Sequence, residues 1–213
     1  MFTGIVTELG TVTSVHWLSD AKEPGKQVEV SVSSAWLADV KQGDSIAVSG
    51  ACMTVVKLGS DRFSFDISPE SLRLTAGLDV QGSLVNLEKA MAAGDRFGGH
   101  MVTGHVDGLG EVLRFDLVGA DWRLLTVRVA PQLARYLAYK GSVVINGVSL
   151  TVNQVRDTLQ GCEIDIQLIP HTLEHTNLHM LTVGSKVNVE VDLVARYLER
   201  MLTNQGTLTI VRT

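Results

Sequence analysis

Met1-Phe2-Thr3-Gly4-Ile5-Val6 and Met101-Val102-Thr103-Gly104-His105-Val106 are two versions of one hexapeptide, offset by 100 positions. Gly10 and Val12 recur as Gly110 and Val112 at the same offset. Farther along, Gly50-Ala51-Cys52-Met53-Thr54-Val55 matches Gly147-Val148-Ser149-Leu150-Thr151-Val152, now 97 apart. Pro69, Leu72 and Thr75 match Pro170, Leu173 and Thr176 at 101. Gly82-Ser83-Leu84-Val85-Asn86-Leu87-Glu88 matches Gly184-Ser185-Lys186-Val187-Asn188-Val189-Glu190 at 102. Blocks that keep their order while the offset drifts by a few residues mark a duplicated domain with small loop insertions. The 213 residues, an awkward length for one domain, resolve into two units of one plan.

Each unit reads as antiparallel strands. Val28, Val30 and Val32 alternate with polar residues, as do Phe63, Phe65 and Ile67. In the second unit Leu125, Val127 and Val129, then Ile164, Ile166 and Leu168, repeat the pattern. One apolar face at period two fits strands laid over a core. About six strands per unit suggest a small closed barrel, which leaves no open edge. The expected fold class is therefore all-β: two homologous six-stranded antiparallel barrels in tandem, plus a C-terminal α-helix. Short helices are expected at Ala35–Val40 and Pro131–Tyr139. The join runs through the punctuation of Ala92-Ala93-Gly94-Asp95 and Gly98-Gly99. Expected boundaries are 1–97 and 98–191 for the barrels, 192–203 for the helix and 204–213 for a tail. Asp192 can cap that helix, whose Leu193, Val194, Tyr197, Leu198, Met201 and Leu202 form a wide apolar stripe. Such a stripe needs a covering surface, either its own barrel or another subunit.

Composition narrows the function. The chain is 45% apolar, 19% charged and 5% aromatic, with a net charge of −5. Acidic balance and few aromatics argue against nucleic acid or an anionic membrane as partner. No apolar run is long enough to span a bilayer, and the N-terminus lacks a signal-peptide pattern. Cys52 and Cys162 form no framework, which suits a reducing cytoplasm. A small molecule or another copy of the chain is the expected partner.

Polar repeats such as Thr3-Gly4 and Thr103-Gly104, or Thr54 and Thr151, suggest two similar concave sites for two similar ligands. The differences between the copies then matter. Ile5 stands against His105, Cys52 against Ser149, Gln42 against Lys140 and Ala90 against Asp192. One copy has proton-transfer and charged groups where the other is inert. An imidazole gains and loses a proton near neutrality, so His105 is the first candidate for proton transfer, although a structural histidine is the plainer reading. Cys52 could act as a nucleophile or simply line a pocket. His171, His175 and His179 recur every fourth residue, but their repeat partners Glu70, Leu74 and Leu78 are no ligand set and Pro170 suggests a loop, so no metal is expected.

The chain is similar to the riboflavin synthase family over roughly residues 1–202. The similarity rests on the two hexapeptides, Gly99-His100 before the second, Lys140-Gly141, Gly147 to Val152, and Ile169-Pro170-His171-Thr172-Leu173-Glu174. It implies two Greek-key barrels and a homotrimer built through the C-terminal helix. Active sites would lie between one subunit's N-barrel and a neighbour's C-barrel. The implied reaction is a dismutation of two 6,7-dimethyl-8-ribityllumazine molecules. A four-carbon unit passes from one to the other, giving riboflavin and 5-amino-6-(D-ribitylamino)uracil without a cofactor. The heterocycle itself delocalises a carbanion at its C7 methyl, leaving the protein to orient two rings and move protons. By resemblance the catalytic candidates are His105, Cys52, Ser149, Thr151, Lys140, Asp192 and Ser45. The ligand-binding segments are Gly4, Ile5 and Val6; Cys52, Met53 and Thr54; Asp66, Ile67, Ser68, Pro69, Glu70 and Ser71; and Gly104, His105 and Val106. In the second unit they are Lys140, then Ser149, Leu150 and Thr151, then Ile169, Pro170, His171, Thr172, Leu173 and Glu174. Ser71 and Ser68-Pro69 depart from the residues expected in that loop. The competing expectation is a non-catalytic lumazine- or flavin-binding protein sharing the same duplicated barrel.

Overall fold

The structure, a computed structural model, describes residues 1–19 and 24–204. The first barrel comprises β1 (Glu8–Trp17), β2 (Lys26–Ser31), α1 (Ser34–Leu37), β3 (Ser45–Val48), β4 (Ala51–Leu58), β5 (Arg62–Ile67), α2 (Pro69–Leu74) and β6 (Leu84–Lys89). Its strands close in the order β1-β2-β5-β4-β3-β6, with every pairing antiparallel. Because β2 lies beside β5 rather than β3, the meander β3-β4-β5 completes a Greek key. Register sets the core: Val28 faces Phe65 and Val30 faces Phe63 across β2 and β5, and all four are buried. The two phenyl rings sit 6.1 Å apart. Each such side chain contributes about 1.5–3 kcal/mol by leaving water.

The second unit repeats the order with β7 (Gly108–Val118), β8 (Trp122–Val129), a 3-10 turn at Pro131–Tyr136, β9 (Ser142–Ile145), β10 (Val148–Thr151), β11 (Gln154–Thr158), β12 (Gly161–Leu168), α3 (Pro170–His175), a 3-10 turn at Asn177–Met180 and β13 (Lys186–Val191). Here the strand count differs from the expected six. The counterpart of β4 is broken into β10 and β11, giving a seven-stranded sheet whose two end strands are halves of one. In the first barrel the same strand only bulges, between Val55 and Lys57. Asn153 bridges the break: its N–H donates to Asp165 O at 2.7 Å and its side-chain oxygen accepts from Gln167 N at 2.9 Å. The barrel-like wrap is thus kept.

The two barrels meet back to back at their β3–β4 and β9–β10 turns. Ser49-Gly50 and Asn146-Gly147 are two-residue turns with φ positive at all four residues, 42° and 88°, then 48° and 83°. A Cβ on Gly50 would lie 2.8 Å from Gly147 N, so the turns can touch only as glycines. Buried asparagines lock the contact. Asn86 Nδ2 donates to Asn146 O at 2.8 Å, and Asn188 Nδ2 donates to Ser49 O at 3.0 Å.

Several helical expectations need correction. The segment at Ala35–Val40 is helical only over Ser34–Leu37, and Pro131–Tyr139 is a 3-10 turn ending at Tyr136. Pro69–Leu74 and Pro170–His175, read from sequence as loops, are short helices with proline in their first turn, where a missing N–H costs nothing. The terminal helix α4 (Leu193–Asn204) forms as expected, with Asp192 Oδ1 accepting from Val194 N at 2.8 Å. Its polar side faces its own barrel, where Glu199 accepts from Arg135 Nη1 at 2.9 Å and Tyr136 OH at 3.3 Å. Val194, Tyr197, Leu198, Met201 and Leu202 are exposed. The part of the expected tail beyond Asn204 lies outside the described residues. Among the described residues no helix is long and apolar enough to cross a membrane.

Candidate functional site: two crossed straps

The repeated hexapeptides are extended straps that cross between the barrels. Phe2 N donates to Val102 O at 2.8 Å and Val102 N to Phe2 O at 3.2 Å, an antiparallel bridge at the centre of the pair. A buried glutamate of its own unit clamps each strap. Glu88 accepts from Thr3 N, Thr3 Oγ1 and Gly4 N at 2.7, 2.8 and 2.9 Å. Glu190 accepts from Thr103 N, Thr103 Oγ1 and Gly104 N at 2.7, 2.8 and 3.0 Å. Burial pushes both carboxyls above the ordinary glutamate value, against the pull of these hydrogen bonds.

Beyond the clamp each strap serves the other barrel. Gly104 O accepts from Cys52 N at 2.8 Å, and Gly4 O accepts from Ser149 N at 2.8 Å. Val106 packs on the first core and Val6 on the second. The glycines are required by the approach: a Cβ on Gly104, at φ 78°, would lie 2.6 Å from Cys52 Cβ. The same atom on Gly4, at φ 77°, would lie 2.7 Å from Ser149 Cβ.

In the first barrel this exchange makes a cavity of about 220 Å³, lined by Cys52, Met53, Ser71, Thr75, Gly104 and His105. Sequence candidates from opposite units, Cys52 and His105, are thereby brought together. The half-buried Cys52 sits on β4, while the exposed His105 rides the strap, its N–H directed at Thr103 Oγ1 at 3.3 Å. Met53 and Ile67 turn into the barrel core, and Thr54 and Asp66 lie exposed. Ser68 caps α2 by accepting from Ser71 N at 3.1 Å, Pro69 opens that helix, and Glu70 pairs with Arg73. Asp66 Oδ1 accepts from Gln27 Nε2 at 2.8 Å.

In the second barrel the equivalent place holds Ser149, with Gly4 laid against it, Val6 packed on the core beyond and Ile5 exposed. Leu150 is buried, and Thr151, Lys140 and Ile169 are exposed. Lys140 adopts φ 62° and stands 5.4 Å from the Tyr139 ring. On α3, His171 and His175 stack at 4.1 Å, Leu173 packs on the core, Thr172 O accepts from Thr176 Oγ1 at 2.6 Å, and Glu174 borders a recess beside Val6. His179 turns its Nδ1 to Thr176 O, 2.7 Å away, on the next turn of chain. Ser45 lines a separate cavity of about 260 Å³ with Asp39, Lys89 and Ala90, apart from Cys52.

One residue absent from the sequence-based candidates joins this second site. His100 Nδ1 lies 2.7 Å from Ser149 Oγ, and its buried Nε2 has no hydrogen-bond partner among the described residues. Burial holds its pKa below the ordinary histidine value, while the negative charge of Asp192 opposes that shift. Burial thus favours the neutral imidazole, whose Nδ1 lies within hydrogen-bond reach of the serine hydroxyl. Within the chain Asp192 acts on His100. Gly99 makes the placement possible, since a Cβ there would sit 2.0 Å from Thr3 O.

Duplicated barrels with exchanged straps, furnished differently at Cys52 and at Ser149, define a protein of the lumazine-binding class. The family model "Lumazine binding domain" matches twice, at residues 3–90 and 103–192. A riboflavin synthase of Photobacterium phosphoreum is 44% identical over 203 residues, covering 95% of this chain and 89% of that one. Those of Bacillus subtilis (42%, covering 95% and 90%) and Mycobacterium tuberculosis (41%, covering 97% and 100%) are similarly close. The chain belongs to the riboflavin synthase family. Among solved structures, LumP complexed with riboflavin superposes with a TM-score of 0.78 at 27% identity, covering 90% of this chain and 99% of that one. LumP complexed with 6,7-dimethyl-8-(1'-D-ribityl) lumazine gives 0.76 at 26%, with the same coverage.

Proposed function

We infer that the chain works as a riboflavin synthase in which each barrel holds one molecule of 6,7-dimethyl-8-ribityllumazine. The activity is the transfer of a four-carbon unit from one lumazine to the other, a transferase reaction. One observation carries the division of labour: equivalent places of one plan are furnished differently, with Cys52 and His105 lining a cavity in the first barrel and Ser149 beside His100 in the second. Identical substrates fit repeated barrels, and unequal roles fit unequal groups.

The cavity at Cys52, about 220 Å³, is smaller than a site that encloses a whole drug-sized ligand. A ring seated there keeps one face open for a second ring. That second ring comes from a neighbouring subunit's second barrel, and the exposed apolar face of α4 supports a homotrimer held through the helix. Orientation of two rings then supplies much of the rate, with proton transfer adding about 10²–10⁴-fold. In this scheme the proton leaving the C7 methyl of the donor passes through the Ser149 hydroxyl to Nδ1 of His100, and the electron pair of the broken C–H bond is delocalised into the heterocycle. His105 serves the acceptor beside Cys52, which lines the pocket or adds to the ring. Thr151, Lys140 and Asp192 complete the composite site, whereas Ser45, in its separate cavity, is left outside it. The expected compartment is the cytoplasm.

Purified protein given only 6,7-dimethyl-8-ribityllumazine should release riboflavin and 5-amino-6-(D-ribitylamino)uracil in equal amounts, with no added cofactor. Saturating substrate without any new flavin would defeat this reading. The likeness to LumP complexes favours a second one, a non-catalytic binding protein. A lumazine or flavin retained through purification, one per chain and without turnover, would establish it.

A further inference from the structure

His105 is held on both sides, and one of the holds comes from the C-terminal helix. Before it, Thr103 and Gly104 are clamped by Glu190. After it, Asp107 N donates to Val189 O at 2.8 Å, and Asp107 Oδ2 accepts from Val191 N at 2.8 Å. The other oxygen of Asp107 pairs with the guanidinium of Arg196, in the first turns of α4. The Asp107 side chain is only 10% exposed, and Arg196 41%. Glu190 and Asp107 are close enough to repel, and Arg196 lies within electrostatic reach of both. Of the two buried carboxylates that fix the His105 strap, Asp107 is thus paired with a positive charge supplied by the helix.

The first unit has no such device. The position matching Asp107 is Thr7, whose Oγ1 accepts from Trp36 Nε1 at 3.0 Å, and no helix follows β6. That strap carries Ile5 where the other carries His105. The half with the proton-transfer group is the half whose strap is tied to α4.

We propose that Arg196 is a positioning residue: through Asp107 it fixes the strap that sets His105 over Cys52, making the C-terminal helix part of the first barrel's pocket. The proposal rests on the reading of His105 as a group of that site. A misplacement of a reacting group by about 1 Å can cost up to about 10²-fold in rate, so losing the tie should act on turnover.

The test uses the full chain, with kcat, KM for 6,7-dimethyl-8-ribityllumazine and assembly mass measured for each variant. Arg196→Ala is expected to lower kcat about tenfold, with KM within about twofold and mass unchanged. Asp107→Asn, which leaves α4 intact, should give the same pattern, and Arg196→Lys should recover part of the loss. In a His105→Ala background, Arg196→Ala should cost little more, because both act through one imidazole. Wild-type kcat in Asp107→Asn and Arg196→Ala would overturn the proposal. So would a loss in Arg196→Ala that appears only with a change of mass while Asp107→Asn stays fully active. An active His105→Ala would instead sink the reading of His105 and leave Arg196 with nothing to position.

Discussion

His100 and His105 are five residues apart and live in different solvents. His105 stands exposed at the mouth of a pocket, whereas His100 is drawn inward against Ser149. Burial favours the uncharged ring, so the native state binds a proton at His100 less readily than the unfolded chain does. Between the lowered native pKa and the unfolded value near 6.5, the unfolded state holds more protons and stability rises with pH. Acidification from neutrality through that window should destabilise the fold. His100→Gln should flatten this response, seen as a smaller drop in urea midpoint between pH 7 and pH 5 than the wild type shows. An equal drop in both would move the acid sensitivity elsewhere. His105 was legible because the repeat sets it against Ile5. His100 was not: Gly99-His100 counts toward the family resemblance, but the matched blocks begin at Met1 and Met101, so the repeat sets no partner against it and singles out no role.

The strap is the element on which both sites depend, and its exchange was the least legible feature of the chain. Each Thr-Gly hexapeptide belongs by sequence to its own unit, and nothing in periodicity says that Gly104 O will meet Cys52 N, or Gly4 O meet Ser149 N. The glycines carried the signal only in part, as permissive residues beside a repeated threonine. Their function is close approach at positive φ, so Gly104→Ala combines backbone strain with a Cβ contact of 2.6 Å. The expected cost is about 1–3 kcal/mol of stability, read from thermal or urea unfolding. Lumazine binding at the first barrel should weaken more than at the second. Gly4→Ala should reverse that preference. If both variants weakened both sites alike, the straps would be general supports rather than the roof of one pocket each. The helices α2 and α3 were misjudged for a simpler reason: both segments read as loops, Pro170 being the sign of one, although proline in a first turn is well tolerated.

At the scale of the molecule, duplication and alternation foretold two barrels, yet not how they face each other. That is decided by side chains with no periodic signature. Asn188 accepts from Ala76 N at 2.8 Å and donates to Ser49 O at 3.0 Å, joining the two halves inside the fold. Asn188→Ala strands buried partners and should cost about 1–3 kcal/mol, measured as a lowered urea midpoint. With the barrels fixed back to back, the first pocket and Ser149 belong to separate strap crossings, so one chain's two sites need not serve each other. The exposed apolar face of α4 offers the way to bring sites of different chains together. Complementation tests this arrangement. One variant would carry His105→Ala and Cys52→Ala, disabling the first site; another would carry Ser149→Ala, disabling the second. Each alone should be strongly impaired. Unfolded and refolded together, they can place an intact first site of one chain against an intact second site of the next, and activity should return. A mixture no more active than its components, with mixed assemblies verified by mass, would mean that the two sites react within one chain.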